Sequence, residues 1–283
     1  MAPATVGVLE IGGGPLTCIA IGVSTRSREG GVDPTALPLF KVLLPSLLAT
    51  IDPNDRRFRY EIRVGYDDDD PWWSIAPQRQ TAAALVATHA KGYPLSLNVT
   101  AFSSLRGNPC AIWSSLFPQA CAEGCEYYYQ LNDDVQLVTK GWAEEFTSTL
   151  ASNSYVPNLG ITGPLDTRNR RQMTQSFTHC THLKIFGYYY PPAFRNWYSD
   201  DWATQVYGGN NTFWRRDIEV HNALVPLGPR YRVAYADKAK LASEILLGRR
   251  TIAAWVAREH PSAPSFTTTQ LHSRRDAIVV LCN

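Results

Sequence analysis

The stretch Ala120-Cys-Ala-Glu-Gly-Cys-Glu-Tyr-Tyr-Tyr-Gln-Leu-Asn-Asp-Asp-Val135 decides the fold. Its first residues close a helix. That helix opens at Asn108-Pro109, with Asn as cap and Pro at the first helical position, and stops at Gly124. Tyr127–Leu131 then reads as a strand by its aromatic content. The strand breaks off at Asn132-Asp133-Asp134. Carboxylates directly after a buried strand are costly unless something compensates them. A divalent cation carrying a diphosphate would do so, because hard cations take oxygen ligands.

Upstream, Leu16–Val23 is a continuous apolar run, the pattern of a central parallel strand. Leu37–Ile51 has helical spacing. Tyr60–Gly65 reads as a second strand, Ala82–His89 as a helix and Leu95–Phe102 as a third strand. This alternation predicts an α/β, Rossmann-like domain with a mostly parallel central sheet flanked by helices. Downstream, Trp142–Leu150 and Leu241–Arg258 read as helices and Leu159–Gly163 as a short strand. Residues 164–217 are rich in Tyr, Trp, Arg and Asn with little apolar periodicity.

In open parallel sheets ligands bind outside the carboxyl ends of the strands. Three polar clusters fall there: Ser24-Thr25-Arg26, Asp67–Asp70 and Asn132–Asp134. Taken alone, a charge run such as Asp67–Asp70 reads as a solvated loop. The convergence of three such clusters makes a ligand site the expectation.

The 283 residues, 45% hydrophobic and 18% charged, suit one large globular domain. A net charge of +2 offers no concentrated basic face, so no nucleic-acid partner is expected. Leu16–Val23 is too short to span a bilayer, and the first residues lack a signal-peptide pattern. A cytoplasmic enzyme, or a Golgi or ER lumenal fragment of an anchored parent, are the two settings expected. Cysteines stand at 18, 110, 121, 125, 180 and 282 without zinc spacing. Cys121 and Cys125 share one helical face. Buried free thiols are the expectation, and a disulfide in a secretory compartment the alternative. Asn98-Val99-Thr100 and Asn210-Asn211-Thr212 are N-glycosylation triplets, which also arise by chance.

The segment from Arg106-Gly-Asn-Pro109 to Asn132-Asp-Asp134, with Gly163-Pro164 and Ser199-Asp200-Asp201-Trp202, resembles the GT-A glycosyltransferases. In them a helix and a strand lead to a D-x-D motif, and an x-E-D motif follows. The resemblance implies a single GT-A domain, here over residues 1–260, and the Ser/Thr-rich stretch 261–283, where the periodic pattern stops, reads as a loosely packed tail. It implies transfer of a sugar from a UDP- or GDP-sugar to a hydroxyl on a glycan or glycoprotein, with Mn2+ or Mg2+ as cofactor. Asp134 would hold the metal, with Asp133 assisting and His221 as a weak third candidate. His260 and His272 are alternatives without a motif. Asn132 stands where the family has its first acid. Ser24, Thr25, Arg26, Asp67, Asp68, Arg106, Asn132 and Asp133 would bind the donor nucleotide.

Asp201 matches the x-E-D acid that deprotonates the acceptor in inverting members, and Asp200 precedes it. One of the two is a candidate cap for a helix over Trp202–Tyr207. A helix start there would favour the ionised carboxylate and lower its basicity somewhat. His182, Tyr188, Tyr189, Tyr190 and Trp197 form an expected acceptor loop, since sugar faces pack on aromatic rings; an interior aromatic cluster is the other reading. Gly12-Gly-Gly14 precedes the first strand, so it is no dinucleotide fingerprint. A glycoside hydrolase could use two carboxylates, but it leaves the three strand-end clusters without a purpose. A nucleotidyltransferase of similar sheet topology and a non-catalytic sugar-binding module remain as alternatives.

Overall fold

Along the first strand, β1 (Thr17–Ser24), side chains alternate between two cores. Ile19, Ile21 and Val23 enter one, while Cys18 and Ala20 enter the other. Successive strand side chains point to opposite faces, so a strand covered on both sides must be apolar at nearly every position. That is why the run reads as continuous. The computed structural model describes residues 16–27, 31–222 and 234–266.

The chain continues through α1 (Leu44–Thr50), entered by a wider π-helical segment at Leu39–Leu43, to β2 (Phe58–Asp67). It then passes α2 (Ala76–His89), β3 (Leu95–Phe102), α3 (Pro109–Ala122) and β4 (Tyr127–Asn132). Asn108 caps α3, accepting from the Ala111 N–H at 3.1 Å. After β4 come β5 (Gln136–Leu137), α4 (Trp142–Ala151), β6 (Ile161–Asp166), β7 (Ser176–His179) and α5 (Thr181–Phe186). The described part ends with α6 (Ser199–Val206), β8 (Thr212–His221) and α7 (Leu241–Glu259).

The eight strands form one sheet in the order β3-β2-β1-β4-β7-β6-β8-β5. The pairs β1–β2, β1–β4, β2–β3 and β6–β8 are parallel, whereas β4–β7, β6–β7 and β5–β8 are antiparallel. The sheet is therefore mixed, which corrects the expectation of a mostly parallel one. The helical crossovers on which that expectation rests end at β4. Beyond it, β7 returns antiparallel beside β4 and the short β5 runs antiparallel to β8. The four-residue β7 is buried at its first three positions and is followed by a six-residue helix. Elements that short carry no readable periodicity.

Helices α1, α2 and α4 pack on one face of the sheet; α3, α5, α6 and α7 cover the other. On the second face Gly22 lies under the ring of Tyr128. A Cβ built there would meet the Tyr128 hydroxyl at 1.7 Å, so only glycine allows this approach. The approach also lets the Trp113 indole of α3 donate to the Gly22 carbonyl at 3.1 Å. Helix α3 is thereby seated above the end of β1.

Four cysteines form disulfides, Cys18–Cys125 and Cys121–Cys180, which corrects the expectation of free thiols. Cys121 lies in α3 but Cys125 lies beyond its end, so the two do not share a helical face as expected, and each bonds across to another element. Cys110 is a free, buried thiol. Of the tail, residues 261–266 are described. Ala263 and Phe266 pack on the second core, and Tyr155 donates its hydroxyl to the Pro264 carbonyl at 2.7 Å. Cys282, His272 and Gly12–Gly14 lie outside the described residues. No helix among the described residues is long and apolar enough to cross a membrane.

Candidate active site

Registers place the three polar clusters together. Ser24 at the end of β1 lies opposite Gly65 of β2 on one side and Asn132 of β4 on the other. A cleft opens over these strand ends. Ser24, Thr25, Arg26, Asp67 and Asn132 line one side of it. Gly107, Asn108 and Pro109, with Ile112 and Trp113 of α3, close the other. Gly107 has a φ of 71°, a left-handed turn that glycine enters without strain. These wall residues were missed in the sequence, although the Asn-Pro helix start marked where the wall would be.

The run Asp67–Asp70 divides its duties. Asp67 is buried and accepts from Arg26 at 2.8 Å, and its Oδ1 has no hydrogen-bond partner. Burial pushes its carboxyl up, against the pull of Arg26. Asp68 is exposed and accepts from Ser103 at 2.7 Å. Asp69 joins Arg26 at 3.0 Å to Arg106 at 3.1 Å on the rim of the cleft. Asp70 is structural. It accepts from the N–H groups of Ser27, Trp72 and Trp73 at 2.7, 2.9 and 2.8 Å, and from the Ser27 hydroxyl.

At the end of β4, Asp133 is fully buried and accepts from the Thr25 hydroxyl at 2.6 Å. Asp134 beside it is also buried. The Asn132 N–H donates to Gln175 Oε1 at 3.0 Å, and its side-chain amide to Asn222 Oδ1 at 3.2 Å. His221 lies opposite Gln136 in the β5–β8 pair, so it is carried to the loop after Asp134. Its Nδ1 is 2.6 Å from the Thr167 hydroxyl. His260 packs on Trp255, away from this loop. The two buried carboxylates and the amide at the end of β4 are donors of the type a hard cation takes, but Asp133, Asp134 and His221 do not converge as a close group of three. The one close group of three potential ligands among the described residues is instead Cys18, Glu61 and Cys125, and its two sulfurs are joined in a disulfide.

Helix α6 starts at Ser199, so Asp200 and Asp201 both fall in its first turn. The cap position is Tyr198, in a left-handed conformation with φ 69°, and no side chain caps the helix. Neither aspartate takes the candidate capping role. Burial raises the Asp201 carboxyl, opposed by a backbone hydrogen bond and by Lys238. The shift runs opposite to the lowered basicity expected from a helix start, because desolvation outweighs those two stabilising contacts. Asp200 is raised further, by burial first and then by the charges of Asp201 and Asp166. Asp166 ends β6 and accepts from Thr174 at 2.9 Å and from the Arg168 N–H at 2.9 Å. The sequence reading stopped at Gly163-Pro164, two residues short of this third acid.

The aromatic loop divides. His182, Tyr189 and Tyr190 are 1–2% exposed and belong to the second core. The His182 imidazole bonds the Tyr189 carbonyl at 3.0 Å and the Tyr207 hydroxyl at 2.9 Å, and burial lowers it to about 4. Tyr190 donates to Gln130 of β4 at 2.9 Å. These three rings offer no face to a glycan, so the interior reading of the loop holds for them. Tyr188 is partly buried against Phe186, while Trp197 is exposed.

No protein-family model matches the chain, and no curated protein matches it in sequence. Among solved structures it is similar to TarS of S. aureus, at 12% identity and a TM-score of 0.49, covering 85% of this chain and 43% of that one. It is similar to a cytidylyltransferase of Leptospira borgpetersenii serovar Hardjo-bovis (strain JB197), at 12% identity and a TM-score of 0.43, over 91% of this chain and 100% of that one. A third similar chain, from Desulfovibrio desulfuricans G20, is assigned as a nucleotide-diphospho-sugar transferase. It has 9% identity and a TM-score of 0.43, over 81% of this chain and 97% of that one. These likenesses concern the path of the chain.

Proposed function

We propose that this protein is a glycosyltransferase of the GT-A type, transferring a sugar from a nucleoside diphosphate donor to an acceptor hydroxyl. The observation that carries the reading is the cleft over β1, β2 and β4. Ser24, Thr25, Arg26, Asp67 and Asn132 line it, the buried Asp133 is bonded to Thr25, and Asp134 follows Asp133 directly. Asp67 and Arg26 would read the base, with Asp68 and the Asp69–Arg106 pair at the rim. Asn132 would face the ribose and diphosphate, with Asp133 buried behind it and aimed by Thr25. Asp134, assisted by Asp133 or His221, would hold Mn2+ or Mg2+. When bound, such a cation stabilises charge on the leaving diphosphate.

Asp201 is the proposed general base. It is partly exposed in the first turn of α6, and its raised carboxyl suits proton uptake closer to neutrality. A base on the acceptor side fits direct displacement with inversion. Asp200, beside Asp201 and next to the Asp166 charge, would order the turn. UDP-sugars are the favoured donors. The paired cysteines favour an oxidising lumen such as the ER or Golgi over the cytoplasm.

Calorimetric titration with UDP and GDP, with and without Mn2+, tests this reading, followed by a donor screen for nucleotide release. Tight metal-dependent binding of one nucleotide and turnover of its sugar are expected. Absence of binding by both nucleotides in Mn2+ and in Mg2+ would sink it.

A further inference from the structure

We propose that Trp197 and Tyr235 form the stacking platform of the acceptor site, and that the acceptor is a pyranose; this rests on the transferase reading above. Of the large apolar side chains left exposed among the described residues, only these two are aromatic, at 47% and 67% exposure. They touch edge to face, with centroids 5.7 Å apart, and Tyr198 lies 6.5 Å from Trp197.

The pair is a built feature. The buried Asn196 accepts from the Trp197 N–H at 2.8 Å and from the Ala234 N–H at 3.1 Å. One side chain thus pins both segments that carry the rings. Its amide also donates to the Gly107 carbonyl at 3.3 Å, in the wall of the donor cleft. Arg195 repeats the link: its N–H donates to Asp237 at 3.0 Å and its guanidinium to the Arg106 carbonyl at 3.4 Å. The platform is therefore tied to the cleft on one side. On the other, Asp201 and Tyr235 lie close enough to Tyr198 to raise its hydroxyl further, after burial.

The chemistry of this surface fits a sugar. A pyranose offers a C–H face to a ring and hydroxyls at its edge. Asp201, close to Tyr198, and the exposed Lys238 beside Asp201 would meet those hydroxyls, while the buried Asp237 holds the Arg195 N–H and Lys240 beneath the rings. A membrane patch would need a broader apolar or basic surface, and the Asp201 carboxylate opposes anionic lipid.

Saturation-transfer NMR tests the platform in the presence of UDP and Mn2+. The probes are N-acetylglucosamine and the methyl β-glycosides of glucose, galactose and xylose. At least one should receive saturation from aromatic protons, and Trp197→Ala and Tyr235→Ala should each weaken it roughly tenfold. UDP affinity should stay unchanged in both variants, which also reports that they are folded. No transfer to any probe, or binding unaffected by both substitutions, overturns the proposal. So does ring-dependent sedimentation with phosphatidylcholine–phosphatidylserine vesicles in place of sugar binding. Ring-dependent sugar binding by a protein that binds neither UDP nor GDP would strike the transferase reading and spare the platform.

Discussion

Thr25 donates its hydroxyl to the carboxylate of Asp133 across 2.6 Å, tying the end of β1 to the end of β4. Both residues are buried, so water cannot replace the bond. Thr25→Val keeps the shape and removes the donor. The expected cost is about 1–3 kcal/mol of stability, read from the urea midpoint at constant slope. Nucleotide affinity should fall as well, since Asp133 loses the contact that aims it. A loss under about 0.5 kcal/mol would show that the bond matters little to the fold.

Asp134→Asn preserves volume and removes charge. Metal-dependent nucleotide binding should drop at least about tenfold, the low end of the range for losing a metal-tuning group. Residual metal-free binding should be unaffected. Titrations in matched Mn2+ and chelator buffers read both, and an unchanged Mn2+ response would remove Asp134 from the metal site.

Asp201→Asn should keep donor binding and slow turnover by roughly 10²–10⁴-fold, the range for losing a general base. Because burial raises this carboxyl, the acid limb of kcat/KM should lie above the ordinary carboxylate value of about 4. Product NMR should show inversion at the anomeric carbon. Retention would exclude direct displacement, and near-normal turnover would exclude Asp201.

Asp200 makes a prediction about stability. Its carboxyl is raised in the fold, so the folded state holds this proton more tightly than the unfolded chain does. That contribution is complete below the unfolded value of about 3.9 and is lost as pH rises through the folded value. Asp200→Asn cannot ionise. It should raise Tm at pH 7–8 and change it little near pH 4, with roughly 2–4 °C for each kcal/mol recovered. An equal shift at both pH values would assign the effect to packing.

Non-reducing peptide mapping should recover Cys18–Cys125 and Cys121–Cys180, with Cys110 slow to alkylate because it is buried. The bonds close sequence separations of 107 and 59 residues. Replacing either pair by serine should cost about 2–4 kcal/mol. A Tm unmoved by reductant would mean that the thiols are not paired in the isolated protein.

The first half of the fold was legible because it obeys simple periods. β3 is bounded by Leu95 and Phe102 as read, and α3 begins at Pro109 behind its Asn108 cap. The strand-end rule then brought Ser24, Asp67 and Asn132 to one cleft before any geometry was known. The second half was opaque for a physical reason. β7 is buried among aromatic residues and stands between two antiparallel partners, so neither alternation nor a crossover helix announces it. Tyr189 and Tyr190 misled because a tyrosine in a core and a tyrosine at a sugar look alike in one dimension. The distinction is whether the hydroxyl finds an internal partner, as they do in Ser176 and Gln130. The cysteines misled similarly, because pairing across a sheet is set by register and not by spacing.

Both disulfides lie at one pole of the molecule. Cys18 opens β1, Cys125 precedes β4, Cys121 ends α3 and Cys180 precedes α5, whereas the cleft lies at the opposite ends of the strands. The covalent pins hold the base of the sheet like the bound edge of a book, while the open edge is tied by hydrogen bonds such as Thr25–Asp133. Loops at that edge are free to vary in length and composition without disturbing the hinge side. New donor or acceptor preferences can therefore accumulate there while the scaffold beneath stays the same.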